Sequence, residues 1–443
     1  SPQHGLQTGD EVRVTGVLGN SAANGTFRVS VLSADTFSLI GSTGNGTYQG
    51  GGNWTALNQM TPSGDVLPQR IAGNRIETNK KAGIFVDVTT GTVFNGDIVN
   101  NLFTANDQTG IHIESHSFGL GTDLPLNPAD PQALPGLQDV GFNVNIGVNA
   151  DGDGNTFRQN TQAGILLEAL DYGTGSFEIR NNVIDNTRND ADLVTAGDGI
   201  VVRLAKDAST TEAISLFSKS IIDGNSIGVD AGGNEGNGLN FIMGDRTRIQ
   251  DLQLTNTVFI NNGLDGFHFI RTQDADLNSV VIEKNRSTNN GGDGFDIFAQ
   301  NTVKDELDFR INENVIDQNA QYGLRLRLEA DARINVQFDR NSVTANGHTP
   351  GGQGFHPNDG VAGSTNSTGG IGIFAFEEIG LTWNMTESHI DNNIGDGMSI
   401  DAFNQDDILV THLTATNSTF NGNSLTGLRN QGTSYGSLAF VGS

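Results

Sequence analysis

An all-β fold, a three-sheet parallel solenoid of about 11–13 coils behind a small β module, follows from three observations. First, one phrase keeps returning: Asn, an apolar pair, a second Asn, then Gly and alternating apolar residues. It reads "GNRIETNKKAGIFVDV" at 73–88, "GNTFRQNTQAGILLEA" at 154–169 and "ENVIDQNAQYGLRLRL" at 313–328. Second, the glycine that opens the alternating stretch recurs at Gly83, Gly110, Gly164, Gly199, Gly238, Gly266, Gly294, Gly323, Gly370, Gly397 and Gly427. Uninterrupted spacings are 27 to 30 residues, and the longer ones are the same unit carrying insertions. Third, apolar residues alternate with period two, and neither helix caps nor 3.6-residue stripes occur.

Residues 1–56 lack the phrase. Three alternating strands, "EVRVTGV" (11–17), "TFRVSVL" (26–32) and "TFSLIG" (36–41), lie between Gly/Asn/Ser turns and predict a small β module. Residues 57–68, "LNQMTPSGDVLP", read as a linker or cap, which a repeat array needs to shield its first edge strand. The solenoid occupies 69–443.

Within one unit three short strands are expected. Around Gly294 they are "SVVIEK" (279–284), Arg286–Thr288 and "GFDIFA" (294–299). Each pairs in parallel with its counterpart one coil away, about 4.8 Å along the axis. Ile84/Val86, Ile111/Ile113, Leu239/Phe241, Phe267/Phe269, Phe295/Ile297, Leu324/Leu326 and Met398/Ile400 then stack into one dry column. No single coil can bury that face alone. Asn79, Asn106, Asn160, Asn262, Asn290, Asn319 and Asn393 fall at one corner of successive coils, where their amides are expected to form a ladder. Left-handed backbone at those asparagines, and positive φ at the neighbouring glycines, is the expected corner geometry.

Insertions at 187–197, 229–236 and 347–369 enter at the same corner and are expected to project from one side. A fourth, at 116–139, follows a Gly-led strand. Loops on a rigid scaffold are where binding usually resides.

Composition narrows the function classes. Lys and Arg total 24 against 51 acidic residues, a formal charge of −27. Such a surface repels nucleic acid and anionic lipid. With no cysteine, disulfide and thiolate chemistry are excluded. No apolar run approaches the ~18 residues of a membrane helix. The opening "SPQHGL", already on the verge of a strand, is expected of a piece of a longer chain.

Two constellations carry chemistry. Asn240, His268, Asp296 and Arg325 occupy equivalent outward positions on consecutive coils, with Arg327 further along the same strand. Side chains so placed are about 5 Å apart, close enough for a carboxylate to orient an imidazole. Equally, opposite charges can compensate one another along a sheet. The second is "NADGDGN": Asn149, Asp151, Asp153 and Asn155 alternate as in the start of a calcium loop, with Gly154 at the sharp turn. Position twelve is Asn160 rather than an acid, so an ordinary acidic turn competes with calcium binding. No other cofactor is expected.

The phrase "GNxIxxNxxxGIxV" resembles the right-handed parallel β-helix repeat family over residues 64 to about 435. That fold is shared by pectate lyases, polygalacturonases, some uronate epimerases, phage tailspikes and bacterial surface proteins, so the resemblance implies a fold and leaves function open. Polygalacturonase-type motifs are reduced to Asp406–Asp407. An epimerase-like Asp-Pro-His is distorted into "GFHPNDG" (354–360), which places His356 and Asp359 in a loop. The first 50 or so residues resemble a short module recurring in large bacterial and phage surface proteins, which implies modular, extracellular architecture. The expected function is a non-catalytic extracellular or cell-surface solenoid, a spacer, adhesin or assembly subunit whose partners are a glycan, a protein surface or further copies of itself. The alternative is a lyase or epimerase on uronate glycans, with His268 as base and Arg325 and Arg327 neutralising the sugar carboxylate.

Overall fold

The computed structural model describes residues 6, 8, 11–33, 35–58, 69–89, 92–116, 140–147, 154–170, 173–189, 197–204, 215–229, 232–244, 247–272, 275–300, 306–329, 332–347, 368–376, 379–402, 409–431 and 434–441. They fall into two compact units, 1–71 with 95–97 and 72–94 with 98–443.

The first unit is a four-stranded antiparallel sheet. Its strands are Glu11–Leu18, Gly25–Ser33, Thr36–Leu39 and Gly50–Asn58, and the fourth pairs with the first. The sequence reading found only three, because Gly50, Gly51 and Gly52 open the fourth and mask its pattern. Leu6, Val12, Val14 and Val29 form the core, with Trp54 and Phe37 packed against it edge to face at 5.5 Å.

The second unit is built from parallel strands, which among the described residues lie in three sheets ordered strictly along the chain, one of them eleven-stranded. In the eleven-stranded sheet every strand starts within one residue of a landmark glycine, and it is called the glycine-led sheet below. Its register is unbroken: Ile84, Ile111, Ile165, Ile200, Leu239, Phe267, Phe295, Leu324, Ile371, Met398 and Leu428 are successive partners. The column lies in the interior, where Phe267, Phe295 and Leu324 are at most 1 % exposed. Rings continue it: Phe103 stacks on Phe157 with centroids 4.7 Å apart, and Phe267 meets Phe295 edge-on at 6.0 Å. Each buried Phe stabilises the coil by roughly 1.5–3 kcal/mol relative to exposure.

Two asparagine ladders fix the corners. One runs Asn79, Asn106, Asn160 and, further on, Asn234, Asn262, Asn290, Asn319, Asn346, Asn393, Asn423. The other, built from the first Asn of the phrase, runs Asn74, Asn101, Asn155, Asn182, Asn225, and then Asn285, Asn314, Asn341. In both, each side-chain NH₂ donates to the carbonyl oxygen of the next amide.

Corner geometry differs from expectation. It is the residue before most of the ladder asparagines that turns left-handed: Ala105 (φ 53°), Gln159 (55°), Asn289 (56°), Gln318 (58°). This leaves the ladder amide free to point inward while a solvent-facing neighbour takes the strain. Nor do the landmark glycines need positive φ. They are glycine because coils touch there: a Cβ on Gly294 would sit 2.4 Å from Ile316 Cγ2 and 2.5 Å from the Gly323 carbonyl oxygen.

Candidate functional site

Alternation sends every second side chain of the glycine-led sheet outward, and parallel register stacks these into columns. Asn240 partners His268, His268 partners Asp296, and Asp296 partners Arg325, so the sequence-derived constellation is brought together. Arg327, two residues on, reaches the same carboxylate: its Nη2 lies 2.7 Å from Asp296 Oδ2. Arg325 donates Nε and Nη2 to the two oxygens of Asp296, both at 3.1 Å. Arg327 also covers the Phe298 ring at 5.1 Å.

Two acids missing from the sequence reading complete the cluster. Asp265 and Asp293 immediately precede landmark glycines, and the repeated Asp-Gly-Phe is the signal that could have found them. His268 Nδ1 lies 3.0 Å from Asp296 Oδ2 and 3.3 Å from Asp265 Oδ2, and Arg325 Nε lies 2.7 Å from Asp293 Oδ2. Asn240 donates to Asp198 at 3.0 Å.

Although these side chains point away from the core, they are covered. His268 is 5 % exposed, Asp265 2 %, and Asp293 and Asp296 0 %. Burial works against a charged imidazole, but hydrogen bonds to Asp265 and Asp296 and the charges of both carboxylates outweigh it and push His268 up to about 10. Burial likewise opposes ionisation of Asp296, yet Arg325, Arg327 and His268 hold it well below the usual carboxylate range. Burial raises Asp293 against the pull of Arg325, with Asp265 and Asp296 adding to the rise. Three acids thus face three cationic side chains. A histidine that is already protonated cannot take up a substrate proton at neutral pH, and Asp296 has its oxygens occupied by two guanidinium groups.

A second polar patch lies on earlier coils of the same sheet. Asp87, Glu114, Glu168 and Arg203 stack at one outward position, while His112 and His116 flank Glu114 on its own strand. His116 Nε2 lies 2.6 Å from Asp87 Oδ1 and 3.8 Å from Glu114 Oε1; His112 Nε2 lies 2.9 Å from Glu168 Oε2 and 3.4 Å from Glu114 Oε2. Arg203 holds the other oxygen of Glu168 at 2.8 Å. Burial opposes ionisation of Glu168, but His112 and Arg203 lower its pKa overall. These groups reach solvent: the side chains of His112, Glu114 and His116 are 17–20 % exposed and that of Asp87 44 %. The run "GIHIESH" carried the signal, since His112, Glu114 and His116 alternate to one face.

Of the proposed calcium loop, Asn149, Asp151 and Asp153 lie outside the described residues. Asn155 is a correction: it is fully buried, and its Oδ1 accepts both the backbone N–H and the side-chain NH₂ of Asn101, each at 3.0 Å. With its oxygen so engaged it serves the ladder and has no lone pair to give an ion. His356, Asp359, Asp406 and Asp407 also lie outside the described residues, as do most of the insertions (117–139, 190–196, 230–231 and 348–367).

Comparison with known proteins adds two similarities. Residues 1–57 match the family described as the ubiquitin-activating enzyme E1 FCCH domain. Among solved structures, the Azotobacter vinelandii mannuronan C-5 epimerase AlgE6 A-module aligns with 81 % of this chain and 90 % of its own, at 11 % identity and a TM-score of 0.31. No curated protein sequence matches the chain. The E1 FCCH match covers the small module alone, and the fold assignment of the remainder rests on the strand registers. The chain is an all-β protein, a parallel β-helix together with a small antiparallel β module.

Proposed function

We propose that this chain is a non-catalytic β-solenoid of an extracellular or cell-surface protein, a rigid spacer that presents its loops to a glycan, a protein or further copies of itself. The observation that carries this reading is the state of the His268 cluster. The constellation of His268, Asp296, Arg325 and Arg327, which has the residue types of a uronate lyase, is covered and closed upon itself. Its geometry braces three consecutive coils, which is what a stiff rod needs and a sugar cleft does not. The formal charge of −27 also disfavours a polyanionic sugar on the bare surface. Among the described residues no helix is long and apolar enough to cross a membrane.

The test is turnover on a panel of uronate polymers, followed by the absorbance of unsaturated uronates and by NMR of C5 epimerisation. No product is expected from the wild-type chain. Turnover that disappears in His268→Gln while the β-sheet circular dichroism persists would overturn the reading. A second reading, a glycan lyase or epimerase, is favoured by the solvent-reaching His112–Glu114–His116 patch. Turnover lost in His112→Gln but kept in His268→Gln would select it.

A further inference from the structure

The outward patch on the early coils is more than compensating charge. We propose that Asp87, His112, Glu114, His116 and Glu168 form a site for zinc-type divalent cations, in which two imidazole–carboxylate triads share Glu114. One triad is Asp87, Glu114 and His116, the other His112, Glu114 and Glu168, and in each the ligand atoms lie within 4.8 Å of one another. Glu114 faces the two triads with different oxygens, Oε2 toward His112 and Oε1 toward His116, which is the disposition of a bridging carboxylate.

The distances suit a small cation. Tetrahedral zinc, with bonds of about 2.1 Å to nitrogen and oxygen, separates its ligand atoms by about 3.4 Å. The nitrogen–oxygen separations here are 2.6 and 3.8 Å in one triad and 2.9 and 3.4 Å in the other. All four lie within about 0.8 Å of that value, a shift within the reach of side-chain rotation. The donor set is equally selective. Imidazole nitrogen with carboxylate oxygen suits zinc, whereas calcium asks for six to eight oxygens.

The fold holds the ligands in place. Asp87, Glu114 and Glu168 are register partners on three consecutive strands, so their spacing is that of the sheet itself. Arg203 ties down Glu168 through Oε1 and leaves Oε2 directed at His112. The Phe85 ring lies 5.1 Å from the His112 ring and limits its rotation. Such supporting contacts are the kind that orient metal ligands. With neutral imidazoles, three carboxylates against one guanidinium leave the patch negative, which draws a cation in. Three protein ligands per ion leave a fourth position for water.

The third imidazole–carboxylate group, Asp265, His268 and Asp296, differs on each point. It is at most 5 % exposed, and Arg325 and Arg327 already occupy the carboxylate where an ion would sit.

Isothermal titration of the full chain with zinc chloride tests the site. Two ions per chain are expected, with one lost in His112→Ala, the other in His116→Ala, and both weakened at least ~100-fold in Glu114→Gln. Zinc should also shift the ring NMR signals of His112 and His116, and calcium chloride at the same concentration should not. All these side chains face outward, so the variants should keep the wild-type circular dichroism. Zinc uptake that is absent, or that survives unchanged in the His112→Ala/His116→Ala double variant, overturns the proposal. A single ion whose affinity ignores Glu114→Gln overturns the shared-ligand arrangement.

Discussion

Asn319 donates its side-chain Nδ2 to Asn346 Oδ1 at 2.9 Å, and its own Oδ1 accepts from Asn290 Nδ2 at the same distance. It also donates to the Ser287 carbonyl at 3.1 Å and accepts the Asn290 backbone N–H at 3.2 Å, while being fully buried. Every donor and acceptor of one amide is therefore spent on neighbouring coils, and full burial keeps bulk solvent from replacing them. Removing it strands groups on both sides, each costing about 1–3 kcal/mol. Asn319→Ala should lower stability by roughly 3–5 kcal/mol, seen as a lower denaturation midpoint in urea. Asn319→Asp should do no better, since it keeps the acceptor, loses the donor and buries a charge.

The landmark glycines make a sharper prediction, because two of them differ only in their neighbours. Gly294 has no room: an added Cβ meets Ile316 Cγ2 at 2.4 Å, the Gly323 carbonyl at 2.5 Å and Asn319 Nδ2 at 2.8 Å. Gly427, just before the last strand of the sheet, meets nothing closer than the Phe420 carbonyl at 3.2 Å. Alanine gains about 0.4–1 kcal/mol by stiffening the unfolded chain where the folded backbone accepts it. Gly427→Ala should therefore melt within a degree or two of wild type. Gly294→Ala should lose at least ~2 kcal/mol, because coil spacing and ladder must both give way.

His268 makes stability depend on pH. Its folded pKa, about 10, exceeds its ordinary value of 6.5, so its contribution is complete below pH 6.5 and is lost as pH rises toward 10. Asp293, raised by burial, costs stability in the same direction as pH climbs above its ordinary 3.8. Asp296, held low, contributes above about pH 4 and loses that only in acid. The gap in melting temperature between wild type and His268→Gln should therefore be widest near pH 6 and narrow steadily toward pH 10. A constant gap would mean that His268 binds its proton equally well in the folded and unfolded chain.

Asp296 is the hub of that network. Asp296→Asn preserves the volume but leaves Arg325 and Arg327 buried beside an amide. Removing one partner of a buried ionic group costs about 3–5 kcal/mol. The loss in Asp296→Asn should exceed that in Arg327→Met, which leaves Asp296 still paired with Arg325 and His268. Denaturation midpoints of the two variants give the order.

How much of this was legible depended on whether a residue's role is set by its own coil or by what lies over it. The eleven glycines and the apolar column repeat with the coil, so spacing alone located each strand of the glycine-led sheet. The Asn79 ladder was legible for the same reason. The Asn101 ladder was not, because the first asparagine stood only as part of the recurring phrase and its interior position depends on the turn residue before it. Register correctly joined His268 to Asp296 and Arg325. It could not reveal that they are covered, since the burial of an outward side chain depends on which neighbours close over it and not on its place in the repeat. The His112–Glu114–His116 patch was missed by reading the outward column over the central coils and stopping before the early ones.

The two tryptophans offer separate reporters for the two units. Trp54 is half-buried against Phe37 in the small module, and Trp383 is fully buried in the solenoid, 5.4 Å from Phe338. Trp383→Phe leaves Trp54 as the sole indole and the module's core untouched; Trp54→Phe does the reverse. A domain of some 60 residues buries a smaller fraction of its surface than a long stack of coils, and among the described residues its buried core is Leu6, Val12, Val14 and Val29. The Trp54 emission should therefore shift at a lower guanidinium concentration than that of Trp383. The Trp383 transition should be the steeper of the two, because the slope follows the surface exposed on unfolding and the solenoid has far more to expose. Coincident transitions of equal slope in the two variants would show instead that module and solenoid unfold as one cooperative body.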